Sequence, residues 1–509
     1  MKKIDSDIIL EDQKQDFSYE KSKSNLDISF NRISFIFFIF FIISVIFSIH
    51  LMHLGSREKN KIINSNSQIP SHKLYRADIV DRNGKYLVKT VNSIDVGISS
   101  KKVIDKEKLI LNLKYIFPNK DYDQIRDKIE KKNFFYFEKK ISQENYDKIM
   151  KLGDKSIQPE DRLIRIYPEK NLFSHIIGQI DDNNSGISGL EKSFDNKFKT
   201  SKEPLILSLD KDIQYLVRNE LIKFNKVFET KGSAAILMNV NNGEILSLVS
   251  LPDFNPNIRE KISDINYINR ATKGVYELGS VFKSFTIAAG LNYDLISPND
   301  MFLNLEKKLK CGGRTISEYD ENLPKDLSVE DILIYSSNIG SVKIGQIIGQ
   351  EKLKKFLEKI GILGQLNFDI KEIGKPLSFK WRECKLKTVS YGHGITTTPI
   401  QLAKGYAILA NGGFDVNPTL IKKKINNTKK KRILKKDVSS KLNKIFRKVV
   451  TQGTATLSDV EGYEVGGKTG TAQIVENGNY TKKKINTFAS VFPSSDPKYV
   501  LVILLEDTK

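Results

Sequence analysis

Apolar positions along the chain change their spacing from one region to the next, and each spacing predicts a different kind of element. Between Ile33 and Ser56 no residue is charged, and Ile33 to Phe47 is almost unbroken Ile and Phe. About 20 such residues cross a bilayer as a helix, so residues 33–54 are expected to be a single transmembrane segment. The run is longer than the apolar part of a secretory signal and no small-residue cleavage site follows it, which favours an uncleaved anchor. Residues 1–32 are polar and unpatterned, as in a short tail. Beyond the anchor, Tyr75 to Val80 alternates apolar and polar up to Asn83-Gly84, predicting a strand, a tight turn and a return strand. Residues 100–155 read as charged helices around a short apolar strand, Phe134 to Phe137.

Further on, Leu205 to Asp210 predicts a strand whose last residue, Asp210, caps a helix over Ile213 to Phe224. Ser233 to Val240 and Glu244 to Ser250 flank Asn241-Asn242-Gly243 as a hairpin. Phe282, Phe285, Ile287, Ala288, Ala289 and Leu291 predict a buried helix that opens at Ser280. Tyr499 to Leu505 is a final apolar strand. Strands, then a helical block, then strands again indicate an α+β domain, an antiparallel sheet with helices packed on it.

Composition adds limits rather than a new picture. A chain of 509 residues holds two or three folded units, and 39% hydrophobic with 28% charged residues suits globular domains. The formal net charge of +21 raises the question of nucleic acid. The densest lysine runs, Lys422 to Lys424, Lys429 to Arg432 and Lys482 to Lys484, have no interleaved aromatic platform, so no nucleic-acid partner is expected. They read as solvated loops, with contact to anionic lipid or wall polymer as the other reading. Basic residues flanking the anchor balance: Lys14, Lys21, Lys23 and Arg32 before it, Arg57, Lys59, Lys61 and Lys73 after it, so charge alone does not orient it. Cys311 and Cys384 lack metal-ligand spacing and are either bridged or free. The five histidines form no paired motif, and neither a metal nor a cofactor is expected.

The candidate chemistry begins at Ser280. On a helix Lys283 shares its face, so the amine can reach the hydroxyl. Free backbone N–H groups of the first turn favour developing negative charge there, and a lysine desolvated among apolar neighbours is a usable base. Such a pair alone is common, a capping serine beside a snorkelling lysine. Two further motifs lie downstream, Ser336-Ser337-Asn338 and Lys468-Thr469-Gly470-Thr471. In a strand Thr469 and Thr471 face one side and Lys468 the other. Gly466, Gly467 and Gly470 leave room for a substrate backbone alongside.

Serine-x-x-lysine, serine-x-asparagine and lysine-threonine-glycine in this order resemble the signature of penicillin-binding proteins and serine β-lactamases. Arg76 to Gly84, Arg165-Ile166-Tyr167-Pro168, His175 to Gly178 and Gly186 to Asp195 resemble segments of the class B branch, with Ala77 where glycine is usual. The resemblance implies a mixed, non-catalytic pedestal (dimerisation-type) domain over residues 55–203 and a transpeptidase domain over 204–509. It implies a peptidoglycan D,D-transpeptidase that is also a target of β-lactams. In it Lys283 activates Ser280, Ser336 relays a proton to the leaving group and Asn338 orients the peptide amide. Thr469 and Thr471 would hold the terminal carboxylate, the N–H groups of Ser280 and Thr471 would form the oxyanion hole, and Lys468 would lean towards Ser336.

Tyr276-Glu277-x-Gly279-Ser280 and Ser390 to Ile395 are similar to the division-specific (FtsI-type) branch. That implies septal synthesis, a single-pass position in the bacterial inner membrane with the catalytic domain in the periplasm, and a SEDS-family (FtsW-type) glycosyltransferase and other division proteins as partners. The elongation branch is the runner-up. A non-catalytic scaffold that activates a glycosyltransferase, and a β-lactamase or β-lactam sensor, are the readings of other classes. Leu278 and Ser284 stand where the family usually has proline. Family members continue past the last strand into a helix that covers one sheet face, so the chain is expected to lack that helix and to expose apolar surface there.

Overall fold

The computed structural model describes residues 25–64, 75–258, 264–377, 379–423, 431–476 and 479–508. Most of the expected tail, and the centre of the basic stretch between Lys422 and Arg432, lie outside these. The chain divides into residues 1–70 and 71–509, each taken by itself. In the first, helix α1 (Asn25–Asn64) holds Arg32–Met52, 21 residues of mean hydropathy 2.7, long and apolar enough to cross a membrane. The helix therefore runs past both ends of the expected 33–54 segment, because polar flanks continue a helix without interruption.

The second unit starts with a pedestal. Strand β1 (Ile79–Val80) turns back into β2 (Tyr86–Ser99) as predicted. Asp81 closes the turn by accepting the N–H groups of Asn83 and Lys85, each at 2.8 Å. Helices α2 (Lys106–Ile116) and α3 (Tyr122–Lys131), strand β3 (Phe134–Ile141), helix α4 (Gln143–Met150) and strand β4 (Ile157–Ile166) follow. Asp105, Asp121 and Ser142 cap the three helices by accepting backbone N–H bonds, which satisfies donors a helix cannot pair internally. Strand β2 pairs with β3 and β4, and a separate core of Val96, Ile98, Leu113, Ile125 and Phe135 holds this head together.

Strand β5 is only Leu205–Ile206, pairing in parallel with β1. The expected strand to Asp210 is cut short because Ser208 and Asp210 bond instead to the backbones of Leu420 and Leu246. Asp210 does cap helix α5 (Lys211–Val227), accepting from Asp212 and Ile213. Then come β6 (Gly232–Asn239), β7 (Ile245–Leu251), helix α6 (Lys283–Asn292), β8 (Met301–Phe302), the hairpin β9 (Lys308–Cys311) and β10 (Arg314–Ser317), and β11 (Leu327–Ser328), which pairs with β8. Helices α7 (Asn338–Ile348), α8 (Glu383–Val389), α9 (Pro399–Ala410) and α10 (Lys436–Gln452) precede the last strands, β12 (Gly466–Glu476), β13 (Asn479–Phe492) and β14 (Tyr499–Glu506).

The sheet is antiparallel in the order β12-β13-β14-β6-β7. Every residue of α9 is buried, as is nearly all of α6, so these two form the centre of the core. Such all-round burial explains why neither helix shows a one-sided apolar stripe. On the other face α5 packs through Val217 and Leu221 against Val249, Leu251, Ile503 and Leu505. Along β14 the residues facing this side, Leu501, Ile503 and Leu505, are half-buried. Cys311 and Cys384 form a disulfide, resolving the choice left open by spacing, and it ties the β9–β10 hairpin to α8.

Candidate active site

Ser280 lies in a 3₁₀ turn, Gly279–Phe282, that runs directly into α6. The serine therefore sits one turn before the helix proper rather than at its first position. Leu278, where the family has proline, is fully buried, and the Ser284 hydroxyl meets the Tyr406 hydroxyl at 2.9 Å. Tyr406 in turn donates to the Val281 carbonyl at 2.9 Å, so α9 braces the turn that carries Ser280.

Three chain segments cross at this turn with no room for a side chain. A Cβ on Gly279, whose φ is +62°, would lie 2.3 Å from the Thr471 carbonyl oxygen, and one on Gly470 would lie 2.3 Å from that of Leu278. Only glycine permits this approach. Gly392 closes on the Gly279 carbonyl from the third side. The crossing brings the backbone around Ser280 against that of Thr471, the two positions expected to form the oxyanion hole.

Lys283 is fully buried. Its Nζ bonds the Ser336 carbonyl, Asn338 Oδ1 at 2.7 Å and Ser336 Oγ at 3.1 Å, and none of these bonds goes to Ser280. Burial, followed by the charge of Lys468, pulls the Lys283 amine well below its ordinary pKa. A neutral amine fits the contacts: two N–H groups donate to the two carbonyl oxygens, and the Ser336 hydroxyl can turn its hydrogen to the nitrogen lone pair. Ser336 adopts φ +63°, a left-handed backbone that serine seldom takes. Asn338 uses both ends of its amide within the protein, since its Nδ2 donates to the Ser317 carbonyl at 2.8 Å. It thus bridges α7 to the β9–β10 hairpin, and it keeps a second N–H and a second oxygen lone pair on the wall of the cleft.

Strand β12 is the edge of its sheet, which leaves a row of backbone groups open to a peptide lying alongside. Lys468 is fully buried, and burial lowers its pKa to about 7. Its bonds go to Thr454 Oγ1 at 3.2 Å and to the Thr469 carbonyl and hydroxyl at 3.1 and 3.3 Å. Among the described hydrogen bonds of Lys468 none goes to Ser336, towards which it was expected to lean; Thr454, just past the end of α10, is a partner instead. Lys468 reaches the rest of the site by its charge on Lys283. Thr454 also meets the Thr469 hydroxyl at 2.9 Å, and no sequence motif marks it. The Thr471 hydroxyl points to Asn486 across the ladder at 3.1 Å.

A cleft of about 1560 Å³ has Ser280, Ser336, Asn338, Thr454, Thr469 and Thr471 on its walls. A serine beside a buried lysine whose pKa is pulled down, with an open sheet edge alongside, defines an enzyme of the serine–lysine acyl-transfer class. The penicillin-binding protein transpeptidase domain matches residues 233–509, and the penicillin-binding protein dimerisation domain matches residues 72–220. The chain belongs to the penicillin-binding protein transpeptidase family, in its class B branch.

Similar proteins include a probable peptidoglycan D,D-transpeptidase FtsI of Caulobacter vibrioides, 29% identical over 85% of this chain and 76% of that protein. The stage V sporulation protein D of Bacillus subtilis is 27% identical over 85% of this chain and 74% of its own length. A probable peptidoglycan D,D-transpeptidase PenA of Neisseria meningitidis is 28% identical over 76% and 71%. Among solved structures, a peptidoglycan synthetase from Bifidobacterium adolescentis shares the fold, with a TM-score of 0.67, 19% identity and coverage of 86% of this chain and 91% of that one.

Proposed function

We propose that this chain cross-links peptidoglycan stem peptides during septal wall synthesis, through an acyl-enzyme on Ser280. The observation that carries the reading is the placing of Lys283 between Ser336 and Asn338, buried with its pKa pulled down and next to the turn that carries Ser280. Lys283 takes the Ser280 proton as Oγ bonds to the carbonyl carbon of the penultimate D-Ala. The tetrahedral oxyanion would lie towards the N–H groups of Ser280 and Thr471. The bond to the terminal D-Ala then breaks, and Ser336 hands the proton to the departing amine. An amine of a neighbouring stem attacks the ester, forms the new amide and returns a proton to Ser280. Thr469 and Thr471 face the cleft where the terminal carboxylate would lie.

The apolar span of α1 fits anchoring in the cytoplasmic membrane. Substrate chemistry requires the catalytic unit on the outer, periplasmic side, within reach of a membrane-bound glycosyltransferase of the SEDS family. Fluorescent penicillin tests the site. The intact chain should label stably, and Ser280→Ala should abolish labelling while its melting temperature stays within a few degrees of the parent. Labelling retained in that variant would remove Ser280 from its role.

A further inference from the structure

Glu318 takes no part in the steps above, yet it joins the parts that hold the site together. It follows directly on β10 and lines the cleft. One carboxylate oxygen accepts the Ser337 hydroxyl at 2.6 Å and the Ile339 N–H at 2.9 Å, and the other accepts the Asn338 N–H at 2.6 Å. Those two amides belong to the first turn of α7 and have no partner within that helix. Ser337 is the helix's own cap, accepting from Gly340 at 2.9 Å, so Glu318 fastens the cap as well as the turn. Ser336 stands one residue earlier in its left-handed conformation. Asn338, one residue later, also bonds the Ser317 carbonyl next to Glu318. A chain held this firmly on one side of Ser336 keeps an unfavourable backbone in place.

The charge of Glu318 matters separately. Lys283 and Lys468 are both fully buried, and their hydrogen bonds go to neutral oxygens. The groups that act on Lys283 are Lys468 from β12, Glu318 from the end of β10, and His393 from the turn after α8. His393 has its pKa lowered to about 4, chiefly by burial, so it is uncharged near neutral pH. Glu318 is therefore the negative charge set against Lys283, and it opposes the fall in the Lys283 pKa that burial and Lys468 cause.

We propose that Glu318 is a positioning residue for acyl transfer, holding Ser336 and Asn338 on Lys283 through three hydrogen bonds and setting by its charge the field in which Lys283 works. The proposal rests on the acyl-transfer reading of the site. Its two effects separate in a pH profile. Acylation needs uncharged Lys283, so its rate constant falls on the acid side as Lys283 gains a proton. Glu318→Gln removes the charge and puts an N–H donor where one of the three bonds had an acceptor. Its plateau should drop at least about tenfold, and its acid limb should move to lower pH by about half a unit or more. Glu318→Asp keeps the charge on a shorter stem, so its plateau should fall while its acid limb stays at the parent's pH.

The measurement is the rate constant of fluorescent-penicillin acylation from pH 5 to 9, on the full chain in detergent, with Ser280→Ala as control. An acid limb of Glu318→Gln that coincides with the parent's overturns the charge role, and an unchanged plateau overturns the positioning role. If the Gln variant does not fold, the Asp variant decides, because a moved acid limb with the charge retained also overturns the proposal. Absence of labelling in the parent chain would overturn the acyl-transfer reading itself, a result distinct from failure of the Glu318 variants alone.

Discussion

Lys283 and Lys468 are both buried in the interior, where an ammonium ion is costly, and Lys283 feels the charge of Lys468. Lys468 holds fewer protons folded than unfolded near and above pH 7, since its pKa falls from 10.5 to about 7. Stability must then rise with pH across that window and be lost as pH falls back through it. Lys468→Met removes the titrating group. The variant should melt higher than the parent at pH 7, by on the order of 2 kcal/mol, and the gain should shrink as pH approaches 10. Its penicillin acylation should meanwhile slow at least about tenfold. Scanning fluorimetry at several pH values, beside labelling rates, checks both halves. At this scale the sequence was readable where chemistry fixes the spacing: Ser280, Ser336, Asn338 and Thr469 to Thr471 line one cleft, with Lys283 buried against Ser336 and Asn338 and Lys468 buried against Thr469. Thr454, Tyr406 and Glu318 were not, because each reaches the site from an element that only tertiary packing brings there.

Elements repeat the pattern. The helix after Ser280, the β6–β7 hairpin and the closing strand β14 follow from periodicity, whereas β5 ends after two residues because neighbouring backbones take its later hydrogen bonds. The pedestal's root is an ionic cluster that no periodicity predicts. Glu191 accepts Arg76 at 2.6 Å and Arg165 at 2.8 Å, with all three side chains at most 1% exposed. Asp195 adds a second carboxylate to Arg76 at 2.6 Å. The motif residues from Arg76, Arg165 and Gly186 onwards are thus far apart in sequence and joined in one buried knot. Glu191→Ala leaves two guanidinium groups short of a counter-charge and should cost about 3–5 kcal/mol. Thermal melting checks the cost, and acylation by the protein that remains folded should be unchanged, since the cluster is not among the residues lining the cleft.

The pedestal and the catalytic sheet form one unit of 439 residues, Ser71–Lys509, knit together by β5 on β1 and by Glu372 accepting the N–H of Gly189. The proposed septal role predicts what loss of the protein does to a cell. Depleting the protein from its host should therefore block constriction and give filaments, visible by microscopy; rounded cells would instead assign it to elongation.

The glycine crossing at Ser280 carries a consequence for inheritance under drug pressure. Gly279, Gly392 and Gly470 each face a carbonyl within 2.3 Å of where a Cβ would stand, so a lineage exposed to β-lactams has no viable change to draw on at these points. Changes that alter what enters are expected instead at exposed residues lining the cleft, such as Tyr319 and Arg382, whose side chains can vary without disturbing the crossing.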